Sequence, residues 1–304
     1  MTGAAPGTGD AAELFTSAML QTSRSMSLRN LDAVLPESDR LYFRVREDGV
    51  QILACRSAAL PRRYRLAIGQ FRLAQFVALG WIDMDTLLRE AWFCEPGCSI
   101  GGSDVHVLVL GADGRLRGYI TAVPSGDPGA RPLDDPRRWL FPVERVYGHR
   151  VIDHIPDPDR YRSDQVWELK RFLHTQTTVM PRQQRLRVSV ELFVALFTSL
   201  SRLSPPGAWV TGDAEEAVAI RHLRWVSPEI YILEGARPAL PSGDLYAPAY
   251  RSRQAVKPFL GRVPDGASLT DVLCRLEQAA LVYQDGERVR RLLANPAPLQ
   301  RISA

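Results

Sequence analysis

The segment QVWELKRFLH, residues 165–174, places three charges inside an apolar run. Val166, Trp167, Leu169, Phe172 and Leu173 are side chains of a core strand, and Glu168, Lys170 and Arg171 sit among them. Charges so placed need a partner or a task, because an unpaired buried charge is costly. In a regular strand, Val166, Glu168, Lys170 and Phe172 share one face, and Trp167, Leu169, Arg171 and Leu173 share the other. Glu168 and Arg171 then point apart unless a bulge lies between them. One reading of the segment is a buried Glu–Arg pair that only fixes the fold. The other is a working carboxylate with cations at hand. Lys170 stands out further, because the 38 basic residues include only two lysines, Lys170 and Lys257.

A second candidate follows the strand. The turn TQTTVMPRQQRLR, residues 175–187, has no glycine but carries Arg182, Arg185 and Arg187. These side chains suit phosphate groups or an acidic protein surface, or else form a solvated helix start. Other groups are weaker. His149 and His154 lie in a polar segment, His106 sits in an apolar strand, and His174 closes the key strand. Phe76, Trp81, Trp139 and Trp167 are candidates for a pocket wall and equally for core. Cys94 and Cys98, in CEPGC, are too few to hold a metal, and no second pair or nearby histidine completes a set. No GxGxxG follows a strand and no GxxxxGK[ST] occurs, so dinucleotide and P-loop readings lack their motifs.

These groups must be held by a chain of 304 residues, 45% hydrophobic and 24% charged, an ordinary globular composition. The net charge of +4 is mild, and the arginines are scattered among carboxylates, so nucleic acid is not an expected partner. No apolar run reaches the length of a membrane span, and the N-terminal residues lack the pattern of a signal peptide. The expectation is a cytoplasmic protein with reduced thiols.

Periodicity predicts a helix over 11–30, two strands in 41–57, helices over 61–80 and 83–92, and a hairpin over 104–124. Residues 141–153 read as an irregular strand. The key strand follows at 165–173, then a long helix over 183–203 and a short strand at 208–212. A helix over 213–226 has Asp213 as its expected N-cap. A strand at 229–235 and two C-terminal helices within 268–295 complete the order. This alternation describes an α/β fold whose central sheet mixes antiparallel and parallel strands.

At QVWELKRF the chain resembles the acyl-homoserine-lactone synthases, a branch of the GNAT acyltransferases. FRLAQFVALGW resembles the family's upstream helix and turn, with Arg72, Phe76 and Trp81 near its spaced Arg, Phe and Trp. VLVLGADGRLRGYITAVP and FPVERV resemble its hairpin and the segment before the key strand. The resemblance covers roughly residues 62–250. It departs at Thr121, where the family has Arg, at Lys170, where it has Ser, and at the family's paired aspartates, of which only Asp104 is evident.

The resemblance implies a GNAT-like mixed sheet flanked by helices over 61–250. An N-terminal extension spans 1–60 and a helical C-terminal extension spans 251–304. It implies a key strand that bulges and parts from its neighbour, leaving a slot for a pantetheine arm. The activity implied is acyl transfer, by direct attack, from an acyl-carrier-protein or coenzyme A thioester to a small-molecule amine. The donor is a phosphopantetheine thioester, with no permanently bound cofactor and no metal. Glu168 is then the candidate base, with Lys170 lining the slot and Arg171 anchoring another element, such as Glu144. Arg72, Phe76, Trp81, Thr121, Glu144 and Trp167 are the expected substrate contacts. Phe172, His174, Arg182, Arg185 and Arg187 are the expected donor contacts. The departures favour an alternative, a module of the same fold that binds a carrier protein or small ligand without catalysis.

Overall fold

A computed structural model describes residues 8–95, 102–176, 179–241, 243–252, 256–294 and 298–303. Helices α1 (Thr8–Ser25) and α2 (Leu31–Val34) precede a hairpin of β1 (Arg40–Val45) and β2 (Gln51–Arg56). Gly49, at φ 78°, makes the hairpin's turn. Helices α3 (Arg62–Ala78) and α4 (Met84–Glu90) lead to the hairpin β3 (Val105–Leu110) and β4 (Leu116–Pro124). A short α5 (Pro142–Tyr147) precedes the key strand β5 (Val166–His174) and the long α6 (Arg182–Leu203). Then come β6 (Trp209–Glu215), α7 (Arg221–Leu223), β7 (Ile230–Glu234) and α8 (Ala247–Ser252). The chain closes with β8 (Val256–Arg262), α9 (Gly266–Leu281), α10 (Gly286–Leu292) and β9 (Leu299–Ser303).

The strands form one sheet in the order β1-β2-β3-β4-β5-β6-β8-β7-β9. Pairs β5–β6 and β7–β9 are parallel and the rest antiparallel, so the expected mixed α/β sheet is present. One face packs on α6, through Val105, Val107, Ile120 and Val210 of the sheet and Leu192, Phe193 and Leu196 of the helix. The opposite face carries α3 over Leu53, Leu108 and Leu173, and α5 over Val166 and Trp209. Burial of these apolar faces is the main force holding the layers together.

Several expectations are corrected. The sheet crosses both limits set for the GNAT-like domain: β1 and β2 are its first strands, and β8 lies inside it between β6 and β7. Residues 251–304 are therefore not a purely helical extension. Pro258 and Gly261 interrupt the β8 run, which hid its strand signal. Residues 142–147 are helix, not strand: Pro142 starts the first turn, and the Glu144 carboxylate accepts the Phe141 N–H at 2.8 Å. Asp213 caps no helix, because β6 continues to Glu215 through its pairing with Val256–Pro258. Residues 1–7 and Cys98 fall outside the described residues, and α1 begins at Thr8.

Candidate active site at the strand fork

β5 and β6 pair in parallel only from Val166↔Trp209 to Glu168↔Thr211. Beyond that point the two strands part. Gly212 stands at the fork with φ 153°, and a Cβ built there would lie 2.7 Å from the Leu169 carbonyl oxygen. Only glycine lets the backbones approach so closely before they diverge.

The other side of β5 is also irregular. Its register against β4 shifts between Tyr119↔Leu173 and Thr121↔Lys170. Arg171 has φ 61°, a left-handed conformation uncommon for a non-glycine residue. This is a bulge, and it reorders the faces. Trp167, Leu169 and Phe172 pack toward α6, while Arg171 joins Glu168 and Leu173 on the other side. Strict alternation placed Phe172 with Glu168 and Arg171 opposite; the bulge reverses both.

A cavity of about 540 Å³ occupies the fork. Phe172, His174, Arg185 and Phe193 line it from the α6 side. Phe76, Trp81, Tyr246 and Tyr250 line it from the other, with Glu168, Lys170 and Arg171 between. The slot therefore runs through the sheet.

Glu168 is the buried carboxylate of this slot, 2% exposed. The Val143 N–H, in the first turn of α5, donates to its Oε2 at 3.1 Å. Lys170 Nζ lies 3.4 Å from its Oε1. Burial pushes the Glu168 carboxyl up to about 7; Lys170 and the Val143 N–H oppose that rise, and Asp213 adds to it. A carboxylate so poised exchanges protons near neutral pH. Asp213, on β6, lines the same cavity and accepts from Tyr250.

Arg171 is anchored by Glu95 rather than by Glu144. Its Nε donates to Glu95 Oε1 at 2.8 Å, and its guanidinium lies 5.2 Å from the Phe76 ring centroid and 5.1 Å from that of Tyr246. Arg72 Nε donates to Glu95 Oε2 at 2.5 Å, and the Tyr246 hydroxyl donates to Oε1 at 2.6 Å. Burial alone would raise the Glu95 carboxyl, but Arg171 and Arg72 outweigh it and hold it down at about 2. One carboxylate thus ties α3, β5 and the segment before α8 together.

The remaining sequence candidates divide. Phe76, Trp81, Phe172, His174 and Arg185 line the cavity. Arg72 stands behind it through Glu95. Glu144 does not reach it: Arg138 grips both its oxygens at 2.7 and 2.9 Å, and the N–H groups of Phe141 and Ile152 complete a buried structural cluster. Trp167 is core, its Nε1 donating to Ser204 Oγ at 2.7 Å. The Thr121 hydroxyl donates to Val105 O at 2.9 Å within the sheet. Arg182 is exposed at the start of α6. Arg187 turns to the far side, where it pairs with Asp48 and lies 4.6 Å from the Tyr283 ring centroid. His174 is neutral at neutral pH: burial, then His222 and Arg185, lower it to about 4. It meets Ser189 Oγ at 3.0 Å, whose hydroxyl donates to Arg185 O.

Sequence reasoning missed Glu95, Asp213, Tyr246 and Tyr250. Glu95 stands in CEPGC between two cysteines, and nothing in that loop points to a partner 76 residues away. The other three become neighbours only through β6, β8 and the approach to α8.

Among the described residues no helix is long and apolar enough to cross a membrane, and no group of three or more His, Cys, Asp or Glu is placed to hold a metal. No protein-family model matches the chain, and no curated protein matches it. Solved structures do. TofI in an apo form is 16% identical with a TM-score of 0.43, covering 74% of this chain and 96% of that one. TofI in a ternary complex with an inhibitor and MTA is 17% identical with a TM-score of 0.44, covering 73% and 96%. MesI, a CoA-dependent acyl-homoserine lactone synthase, is 14% identical with a TM-score of 0.36, covering 78% and 93%. The chain is similar to these proteins over most of its length.

Proposed function

We propose that the protein is an N-acyltransferase that moves an acyl group from a pantetheine thioester to a small-molecule amine. The observation that carries this reading is the fork: a strand bulged on one side, parted on the other, with a poised carboxylate in the slot. An extended thiol ester enters such a slot from the α6 side, where Phe172 and Phe193 supply apolar walls and Arg185 supplies charge. The amine enters from the side of Glu168, Phe76 and Trp81. Its nitrogen attacks the thioester carbonyl, Glu168 takes the proton it loses, and the C–S bond breaks to release the thiol. β5 has no ladder pairing with β6 beyond Glu168, so a backbone N–H on that edge serves as donor to the developing oxyanion.

Both coenzyme A and acyl carrier protein present the required thioester. Arg182 and Arg185, exposed at the start of α6, suit either the phosphates of the first or the acidic surface of the second. The test is incubation with panels of both thioesters and a pool of amines, read by mass spectrometry. A new amide with loss of one thioester supports the reading and names the donor. A stable complex with a carrier protein and no amide points instead to the binding module.

A further inference from the structure

Lys170 is an amine held beside the candidate base. Its Nζ lies 3.4 Å from Glu168 Oε1, and its side chain, 26% exposed, lines the same cavity. The charged groups acting on it are Glu168 and Arg171 of its own strand and Asp213 of β6. Burial and Arg171 disfavour its charged form, Glu168 and Asp213 favour it, and the balance lowers its pKa. A proton moved from Lys170 to Glu168 leaves a free amine and a neutral acid in contact, with no charge added to the cavity. The other lysine, Lys257, lies outside the cavity and pairs with Glu234 at 2.5 Å.

We propose that Lys170 is itself an acyl acceptor, so that without a bound amine the protein acylates itself at this lysine from the thioester in the fork. The inference rests on the acyl-transfer reading above. Lys170 Nζ attacks the thioester carbonyl and a C–N bond forms. The C–S bond breaks, and Glu168, already protonated by Lys170, gives its proton to the departing sulfur, which leaves as thiol. Glu168 takes in its place the proton lost by the attacking amine. No oxidant or further reactant is needed. The product is an amide that removes the Lys170 charge and leaves the acyl chain in the cavity. Excess donor without acceptor thereby closes the site.

The chain's poverty in lysine makes the test direct. The protein is incubated with octanoyl-coenzyme A, and in parallel with octanoyl-pantetheine, without added amine, then cut with Lys-C. Unmodified chain is cut only at Lys170 and Lys257, the two lysines. Acylation at Lys170 blocks the first cut and joins residues 1–170 to 171–257. The expected result is one acyl mass, at Lys170, formed at least about a hundredfold faster than at Lys257 and slowed by Glu168→Gln. Equal labelling of both lysines overturns the proposal. So does an unlabelled Lys170 in protein that makes an amide when amines are supplied, and in that case the acyl-transfer reading survives. If neither adduct nor amide forms with any thioester, both fall together.

Discussion

Arg171 and Glu95 are 76 residues apart in sequence and meet in an ion pair beneath the strand fork. The meeting depends on the left-handed backbone at Arg171, which turns its guanidinium onto the same side of the sheet as Glu168. The bulge answers why an apolar strand carries three charges. Arg171 is held by Glu95, Glu168 faces the cavity, and Lys170 stands beside it.

Glu95→Gln leaves Arg72 and Arg171 buried without their carboxylate. The expected loss is about 3 kcal/mol, because breaking a buried pair strands its partners. Denaturant melts measure it. In the parent protein the Glu95 carboxyl is held below its ordinary value of 4.5, at about 2. Its stabilising contribution is therefore present above about pH 4.5 and is lost as pH falls toward 2. Melts across that window lose this acid-side slope in the variant.

Glu168 has the opposite sign. Its carboxyl is raised from 4.5 to about 7 by burial, so the folded state favours the protonated form. That contribution is complete below about pH 4.5 and declines as pH rises through 7, by up to about 3 kcal/mol. Glu168→Gln removes this decline. The check is the difference in unfolding free energy between pH 5 and pH 8 for the two proteins.

Gly212→Ala puts a Cβ against the Leu169 carbonyl, at 2.7 Å, in a conformation of φ 153°. The strands must shift or the backbone strain, and the expected cost is roughly 1–3 kcal/mol. Because the clash lies at the fork, the proposed acyl transfer is expected to fall as well. Thermal melts and turnover on the same preparation measure both effects.

Under the proposed function, Arg185 serves the thioester donor and Arg187 serves the scaffold. Arg185 lines the cavity; Arg187 pairs with Asp48 on the other side of the helix. Arg185→Ala raises KM for the thioester donor roughly tenfold, the scale of one charge-assisted hydrogen bond. Arg187→Ala lowers Tm and leaves that KM unchanged.

Much of the frame was legible. The hairpins at 40–56 and 105–124, α3, α6 and β5 follow from apolar period and turn residues. The site's center, Glu168, was marked by a charge in an apolar strand. What stayed hidden was non-local. β8 carries a proline and a glycine and is a strand because β6 and β7 pair with it. Glu144 looked like a partner for Arg171, yet its own helix start and Arg138 use every oxygen it has. The bulge has no signature in ELKRF; only the register against β4 and the pull of Glu95 define it. Strict alternation therefore misassigned the faces after Leu169, and with them the partners of Arg171 and Phe172.

The most direct test of the central claim is thiol release from the active thioester, in the presence of the amine, by the parent protein and Glu168→Gln from pH 5 to pH 9. The account predicts a parent kcat/KM that rises through about pH 7, as the carboxylate ionises, and levels above it. The variant should be slower by roughly a hundredfold or more and lack that limb. Superimposable profiles for the two proteins would contradict it, because the fork would then be working without the carboxylate it holds.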